Sequence, residues 1–201
     1  MEIFLDTANI DEINEIIRWG IIKGVTTNQK IFLKEKGCNF EEQSKRILKM
    51  VEPHPVSLEG PNDLDELLET AKEYSQWGKN VVIKVPMLPN GDGIKAAKIL
   101  ENQGIKTNVT AMMNLNQAFL AMAAGASYAS LFFNRIRDYG DDPVQIVKQA
   151  RTAIDEGGYK TKLIVGSIRK PEDVADIITT NAHVITIPYK ILKQMPYHEK
   201  T

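Results

Sequence analysis

The chain has 201 residues, 25 Lys+Arg against 26 Asp+Glu for a formal net charge of -1, and 43% hydrophobic residues, values that fit one soluble globular domain with a sizeable core. Near-neutral charge leaves no electrostatic footprint for nucleic acid or for an anionic membrane, and the single cysteine, Cys38, excludes an internal disulfide and a two-cysteine metal motif. The start Met1-Glu2-Ile3-Phe4-Leu5-Asp6 lacks the basic opening and long apolar run of a signal peptide, and no apolar stretch approaches a membrane span, so a reducing cytoplasm is the expected compartment and Cys38 an inert packing or loop residue.

Short apolar runs alternate with longer amphipathic ones along the whole chain. A strand is predicted over Ile3–Leu5, then a helix over Ile10–Trp19, a strand over Gly24–Thr27, a helix over Phe40–Val51, a strand over Val56–Leu58 and a helix over Leu64–Gln76. The alternation continues with Val81–Val85, Ile94–Asn102, Lys106–Val109, Leu115–Ala124, Tyr128–Phe132, Pro143–Glu156, Lys162–Val165, Pro171–Thr179 and Val184–Ile187, and a last helix starts near Tyr189. Asp63, Asn114 and Asp142 supply polar helix starts, and Pro171 after Lys170 suits a first turn. Gly20, Gly104, Gly125 and the Gly157-Gly158 pair follow helix ends, as C-capping glycines do.

Eight strand–helix alternations predict an α/β fold with a parallel sheet, and eight is the number that closes a (β/α)8 barrel, the TIM barrel. An open doubly wound sheet is the alternative. Against it, Leu5-Asp6-Thr7-Ala8-Asn9 after the first strand is polar and compact and carries no glycine-rich phosphate fingerprint.

Residues two apart in a strand face the same side. In Val81-Val82-Ile83-Lys84-Val85-Pro86, Lys84 shares parity with Val82, and Val81, Ile83 and Val85 form a wholly apolar opposite face. That face suits packing on helices, which turns Lys84 into a barrel interior. The bland alternative is a surface lysine on an edge strand. Desolvation of a lysine lowers its pKa and frees a neutral amine to attack a carbonyl.

The same test puts Asp6 with Phe4, Thr26 with Asn28, Glu59 with Ser57, Asn108 with Thr110, Ser130 with Phe132 and Ser167 with Arg169. Strand after strand thus delivers a polar group to its carboxyl end, where the active sites of barrels lie. Taken singly, a Thr or Asn at a strand end is a turn or cap residue; the joint pattern favours a site. A lysine with two carboxylates and several hydroxyls suits Schiff-base chemistry, in which the amine adds to a ketone, water leaves, and the iminium accepts electrons as a neighbouring carbon–carbon bond breaks. Asp6 and Glu59 are the candidate general acid/bases. No metal or cofactor is needed, and His54, His183 and His198 are scattered and read as core or surface residues. Arg135 and Arg169, with Ser167, lie just past strands six and seven, and barrels often bind a phosphate near the loops after strands seven and eight; surface ion pairing is the alternative for both, and the expected fate of Arg137 and Arg151.

Ile3-Phe4-Leu5-Asp6-Thr7-Ala8, Gly24-Val25-Thr26-Thr27-Asn28, Ile83-Lys84-Val85-Pro86, Gly104-Ile105-Lys106-Thr107-Asn108-Val109-Thr110 and Gly166-Ser167-Ile168-Arg169 resemble, in order, motifs of the small transaldolase and fructose-6-phosphate aldolase family. The resemblance runs from residue 3 to about 193. It implies a (β/α)8 barrel with its Schiff-base lysine at Lys84, an acid/base at Asp6, and a site without metal or cofactor. It places Thr26, Asn28, Asn108, Thr110 and Ser130 on substrate- and water-binding positions and Ser130, Arg135, Ser167 and Arg169 around a substrate phosphate. Sugar phosphates are the implied partners, and a homo-oligomer the implied assembly.

Two positions separate the branches. Glu59 and Phe132 match transaldolases, whereas fructose-6-phosphate aldolases carry glutamine and tyrosine there. A tyrosine hydroxyl at Phe132 would offer a proton and position water for releasing free dihydroxyacetone; its absence preserves the three-carbon intermediate for an acceptor. The expected activity is therefore transfer of a dihydroxyacetone unit from a ketose phosphate to an aldose phosphate, with a dihydroxyacetone-releasing lyase as runner-up. A specialised or inactive sugar-phosphate-binding relative is the third reading. It is motivated by Gln29 in place of a usual proline, Lys30 after it, Leu131 and Asn134 in place of a usual proline and glycine, and an end at Thr201 before a final helix that packs subunits in many relatives.

Overall fold

A computed structural model describes residues 1–33, 37 and 39–200, so the expectation for Cys38 lies outside the described residues. Its strands are β1 (Glu2–Asp6), β2 (Ile22–Thr26), β3 (Val56–Glu59), β4 (Val81–Pro86), β5 (Thr107–Met112), β6 (Tyr128–Phe132), β7 (Lys162–Gly166) and β8 (Val184–Pro188). They form a closed parallel barrel in chain order, and β8 returns to β1 with Phe4 opposite Thr186 and Asp6 opposite Pro188. The closed (β/α)8 architecture is the one the alternation predicts, and the open sheet is excluded.

The helices are α1 (Ile10–Ile17), α2 (Gln29–Phe32), α3 (Phe40–Val51), α4 (Leu64–Ser75), α5 (Asp92–Asn102), α6 (Leu115–Ala124), α7 (Phe133–Asp138), α8 (Pro143–Gly157), α9 (Pro171–Ile178) and α10 (Tyr189–Gln194). The expected caps are in place: Asp63, Asn114 and Asp142 each accept backbone N–H bonds through their side chains. Pro171 opens α9. Gly125 and Gly158 end α6 and α8 in the left-handed region. Two helices, α2 and α7, have no counterpart in the sequence reading. At four and six residues they are too short to show helical periodicity.

Parity decides the two sides of the barrel. Leu5, Val25, Leu58, Ile83, Val85, Val109, Leu131, Val165 and Ile187 all join the large outer core against the helices. The opposite parity fills the lower interior with Phe4, Ile164 and Val184, packed by Tyr128. The Phe4 and Tyr128 rings meet edge-on at 6.1 Å. Gly24 is required there, because a Cβ at that position would lie 2.7 Å from the Phe4 ring. This apolar plug closes the barrel from below, so the polar residues one step further along each strand share a pocket that opens only upward. No helix among the described residues is long and apolar enough to cross a membrane.

Candidate active site

Above the plug, a cavity of about 150 Å³ is lined by Asp6, Thr26, Asn28, Lys84, Asn108, Thr110, Ser130, Phe132, Arg135, Gly166, Ser167 and Thr186. A second, of about 210 Å³, shares Asn28, Lys84, Thr110, Phe132 and Arg135 with it and extends to Gln29, Lys30 and Glu59 at the mouth. Larger clefts open along α8, at about 640 Å³, and at the base of β5–β7, at about 510 Å³. Neither combines a buried lysine with converging carboxylate, hydroxyl and guanidinium groups, so the smaller barrel-mouth space is the candidate site.

Lys84 is 7% exposed, and its Nζ donates to the Thr27 carbonyl at 2.8 Å. The parity argument thus holds: Lys84 is neither on an edge nor at the surface. Strand pairing sets its neighbours directly, with Glu59 opposite it on β3 and Asn108 opposite it on β5.

Around the lysine the polar groups form short relays. Thr26 Oγ1 donates to Asp6 Oδ1 at 2.7 Å and lies 2.5 Å from Thr186 Oγ1. Ser130 Oγ donates to Asn108 Oδ1 at 2.7 Å, and Asn108 Nδ2 donates to Ser57 Oγ at 3.3 Å. Thr110 is 2% exposed, yet among the described residues its hydroxyl has no protein partner. A buried hydroxyl without a bond is costly, so this one is available to a substrate or water in the cavity. Its neighbour Ala111 adopts φ 63° at an irregularity of the β5–β6 pairing, and the strand runs three residues past its predicted end. Glu59 Oε2 accepts from the Gln29 N–H at 3.1 Å, a bond that a proline at this position could not make.

Two polar arms complete the rim. The Arg135 guanidinium stacks over the Phe132 ring, 4.6 Å from its centre. Ser167 lines the cavity, with φ 64°. Arg169 lines neither cavity. Its two terminal nitrogens grip the Asp138 carboxylate, both side chains about half exposed, and that bond holds Asp138 below its ordinary pKa. Of the twelve site residues picked out by sequence, eleven line these two cavities and Arg169 does not. Thr186 is the residue sequence reasoning missed, although Val184-Ile185-Thr186-Ile187 carries the same parity signal as the other strands.

Arg151 pairs with exposed Asp155, as expected. Arg137 departs from the simple surface pair, because its partner Asp173 is wholly buried. Asp173 Oδ1 accepts from Arg137, and Oδ2 accepts from Asn134 Nδ2 and from the Arg169 and Lys170 N–H groups. Burial pushes this carboxyl up, but the four donors together outweigh it and hold its pKa below the usual range. A depressed folded-state pKa contributes stability that is fully present above the unfolded value, about 3.9, and lost as pH falls through the folded one. The urea midpoint is therefore expected to drop between pH 5 and 3, and less steeply for Asp173→Asn; equal slopes would reject this role. His183 is a half-buried structural residue: its Nδ1 accepts from the Leu163 N–H at 3.0 Å, and burial, then Arg151, lowers its pKa.

Comparison with known proteins agrees with this geometry. The family described as Transaldolase/Fructose-6-phosphate aldolase matches residues 3–201. Proteins named probable transaldolase from Petrotoga mobilis and Alkaliphilus metalliredigens are each 43% identical over all of this chain, which spans 90% and 92% of their lengths. One from Thermoplasma acidophilum is 42% identical, again over all of this chain and 90% of its own. Among solved structures, thiamine phosphate pyrophosphorylase from Pyrococcus furiosus superposes with a TM-score of 0.66 at 10% identity, covering 97% of this chain and 93% of that one, a likeness of fold alone. With its motifs, barrel and full-length relatives in agreement, the chain belongs to the transaldolase/fructose-6-phosphate aldolase family.

Proposed function

We propose that this protein is a transaldolase, moving a dihydroxyacetone unit from a ketose phosphate, such as sedoheptulose 7-phosphate or fructose 6-phosphate, to an aldose phosphate through a Schiff base on Lys84. The observation that carries it is a buried lysine amine at the floor of a cavity ringed by a carboxylate, hydroxyls and an arginine. Lys84, once neutral, adds to the donor ketone, and loss of water leaves an iminium. Asp6 takes the proton of the hydroxyl on the far side of the scissile bond, that carbon–carbon bond breaks, and the aldehyde departs. The electrons rest in an enamine on Lys84, which attacks the acceptor aldehyde; hydrolysis then frees the amine.

Glu59 at the mouth assists proton transfers directly or through a water, which the unpartnered Thr110 hydroxyl can help to hold. Arg135 and Ser167 grip the phosphate, and Arg169 would join them by exchanging Asp138 for substrate. Phe132 carries no hydroxyl with which to hasten hydrolysis, which favours transfer over release of dihydroxyacetone.

Borohydride with fructose 6-phosphate is expected to fix a three-carbon adduct on Lys84, seen as a mass shift on its peptide and absent from Lys84→Ala. A shift that survives the substitution refutes the assignment. Turnover dependent on added erythrose 4-phosphate supports transfer; acceptor-independent release of dihydroxyacetone points to the lyase.

A further inference from the structure

Ser167 is a non-glycine residue in the left-handed region, at φ 64°. Such a conformation is strained and persists only where its surroundings impose it. Its carbonyl accepts from Asn134 Nδ2 at 2.8 Å. The same amide nitrogen donates to Asp173 at 2.6 Å, while the amide oxygen accepts from Arg137 at 3.0 Å. Two acceptors on one side and a guanidinium on the other leave the carboxamide a single orientation. Asn134 is 4% exposed and Asp173 wholly buried, so no part of this knot is a loose surface contact.

Position in the chain gives the knot a consequence. Asn134 precedes Arg135 on α7, and Asp173 on α9 ties down the N–H groups of Arg169 and Lys170 just beyond Ser167. One buried amide therefore couples the segment carrying the Arg135 guanidinium to the segment carrying the Ser167 hydroxyl. Both groups line the cavity above the plug.

We infer that Asn134 and Asp173 are positioning residues for phosphate recognition: they hold Ser167 in its strained conformation so that its hydroxyl and Arg135 act as one anion grip. Neither side chain lines the cavity, so they act only through their neighbours. The inference rests on reading this part of the cavity as the phosphate end of the proposed transaldolase site. It does not depend on the Schiff base.

The test is Asn134→Ala, read in two assays. Calorimetric titration with inorganic phosphate is expected to show binding weaker by about tenfold, the scale of a lost charge-assisted bond. The KM for fructose 6-phosphate should rise by a similar factor with kcat little changed. Borohydride trapping of phosphate-free dihydroxyacetone at Lys84 should proceed as in the parent protein. Unchanged phosphate affinity overturns the inference, as does absence of phosphate binding to the parent protein. A parallel fall in phosphate binding and dihydroxyacetone trapping also overturns it, because that reports a general structural role. If the parent protein traps nothing at Lys84 yet Asn134→Ala weakens phosphate binding, the positioning role stands and the Schiff-base reading falls. Should Asn134→Ala fail to fold, Asp173→Asn, which keeps the shape of the knot and removes its charge, carries the same measurements.

Discussion

Asp6→Asn is expected to lower kcat for dihydroxyacetone transfer by about a hundred- to ten-thousandfold, the range that positioned general acid–base catalysis supplies. In barrier terms this is about 3–5 kcal/mol. The substitution is close to isosteric. An asparagine oxygen can still accept from Thr26 Oγ1, which donates to Asp6 Oδ1 at 2.7 Å, so the Thr186–Thr26 relay behind it survives. What disappears is the capacity to take a proton from the donor hydroxyl. Lys84 keeps its own contact with the Thr27 carbonyl, and Schiff-base formation from dihydroxyacetone, which breaks no carbon–carbon bond, should persist in borohydride trapping. Thermal unfolding within a few degrees of the parent would confirm an intact barrel. If the variant keeps transfer activity within a few-fold, Asp6 is not the base, and Glu59, the other carboxylate lining the site, inherits the role.

The barrel and its working face were legible because both rest on periodicities. Strand–helix alternation predicts a parallel sheet, and period-two parity predicts which side chains enter it. Lys84 was the strongest case, since Val81, Ile83 and Val85 left it only the interior face. The parity test also reaches Thr186, which the sequence reading passed over because threonine in an apolar strand attracts no notice by itself. The short helices α2 and α7 carry no such signal. One, α7, follows the end of β6 directly, and α2 begins three residues after the end of β2. Arg169 lies just past strand seven, but position on the chain does not predict that Asp138, at the end of α7, will meet its guanidinium first.

Long-range polar knots were the least legible part. Asn134 and Asp173 are 39 residues apart and look like ordinary surface polars in their own segments. Only the fold brings them together, with Arg137 and two backbone N–H groups. The same holds for Glu101, whose carboxylate caps both Thr107 and Ser127 from the end of α5. Amphipathic periodicity exposes such residues to solvent by default, so their burial and partners have to come from tertiary structure.

Gly93→Ala separates the tertiary constraint from the local one with opposite signs. Alanine is favoured over glycine by up to about 1 kcal/mol in a helix, and Gly93 is the second residue of α5, so local propensity alone expects a more stable protein. The fold expects the reverse. A Cβ at Gly93 would fall 2.1 Å from the Pro86 carbonyl oxygen, 3.2 Å from its carbon and 3.4 Å from the Leu88 nitrogen. All three are backbone atoms, so no rotamer change relieves the contact, and α5 must lift from the end of β4. Overpacking of this kind costs about 3 kcal/mol, at the upper end of its usual range, which for a chain of this length lowers the melting temperature by roughly 6–12 °C. Gly60→Ala is the matched control. Its Cβ would meet only the Leu67 Cδ1 tip at 2.6 Å, which can rotate, and a loss below about 1 kcal/mol is expected. Transfer activity should fall with Gly93→Ala beyond what stability explains, because Pro86 lies two residues from Lys84 on the same strand and its displacement tilts the amine out of line with Asp6. A Gly93→Ala protein as stable as its parent would show that the α5–β4 contact is not the constraint that sets Lys84 in place.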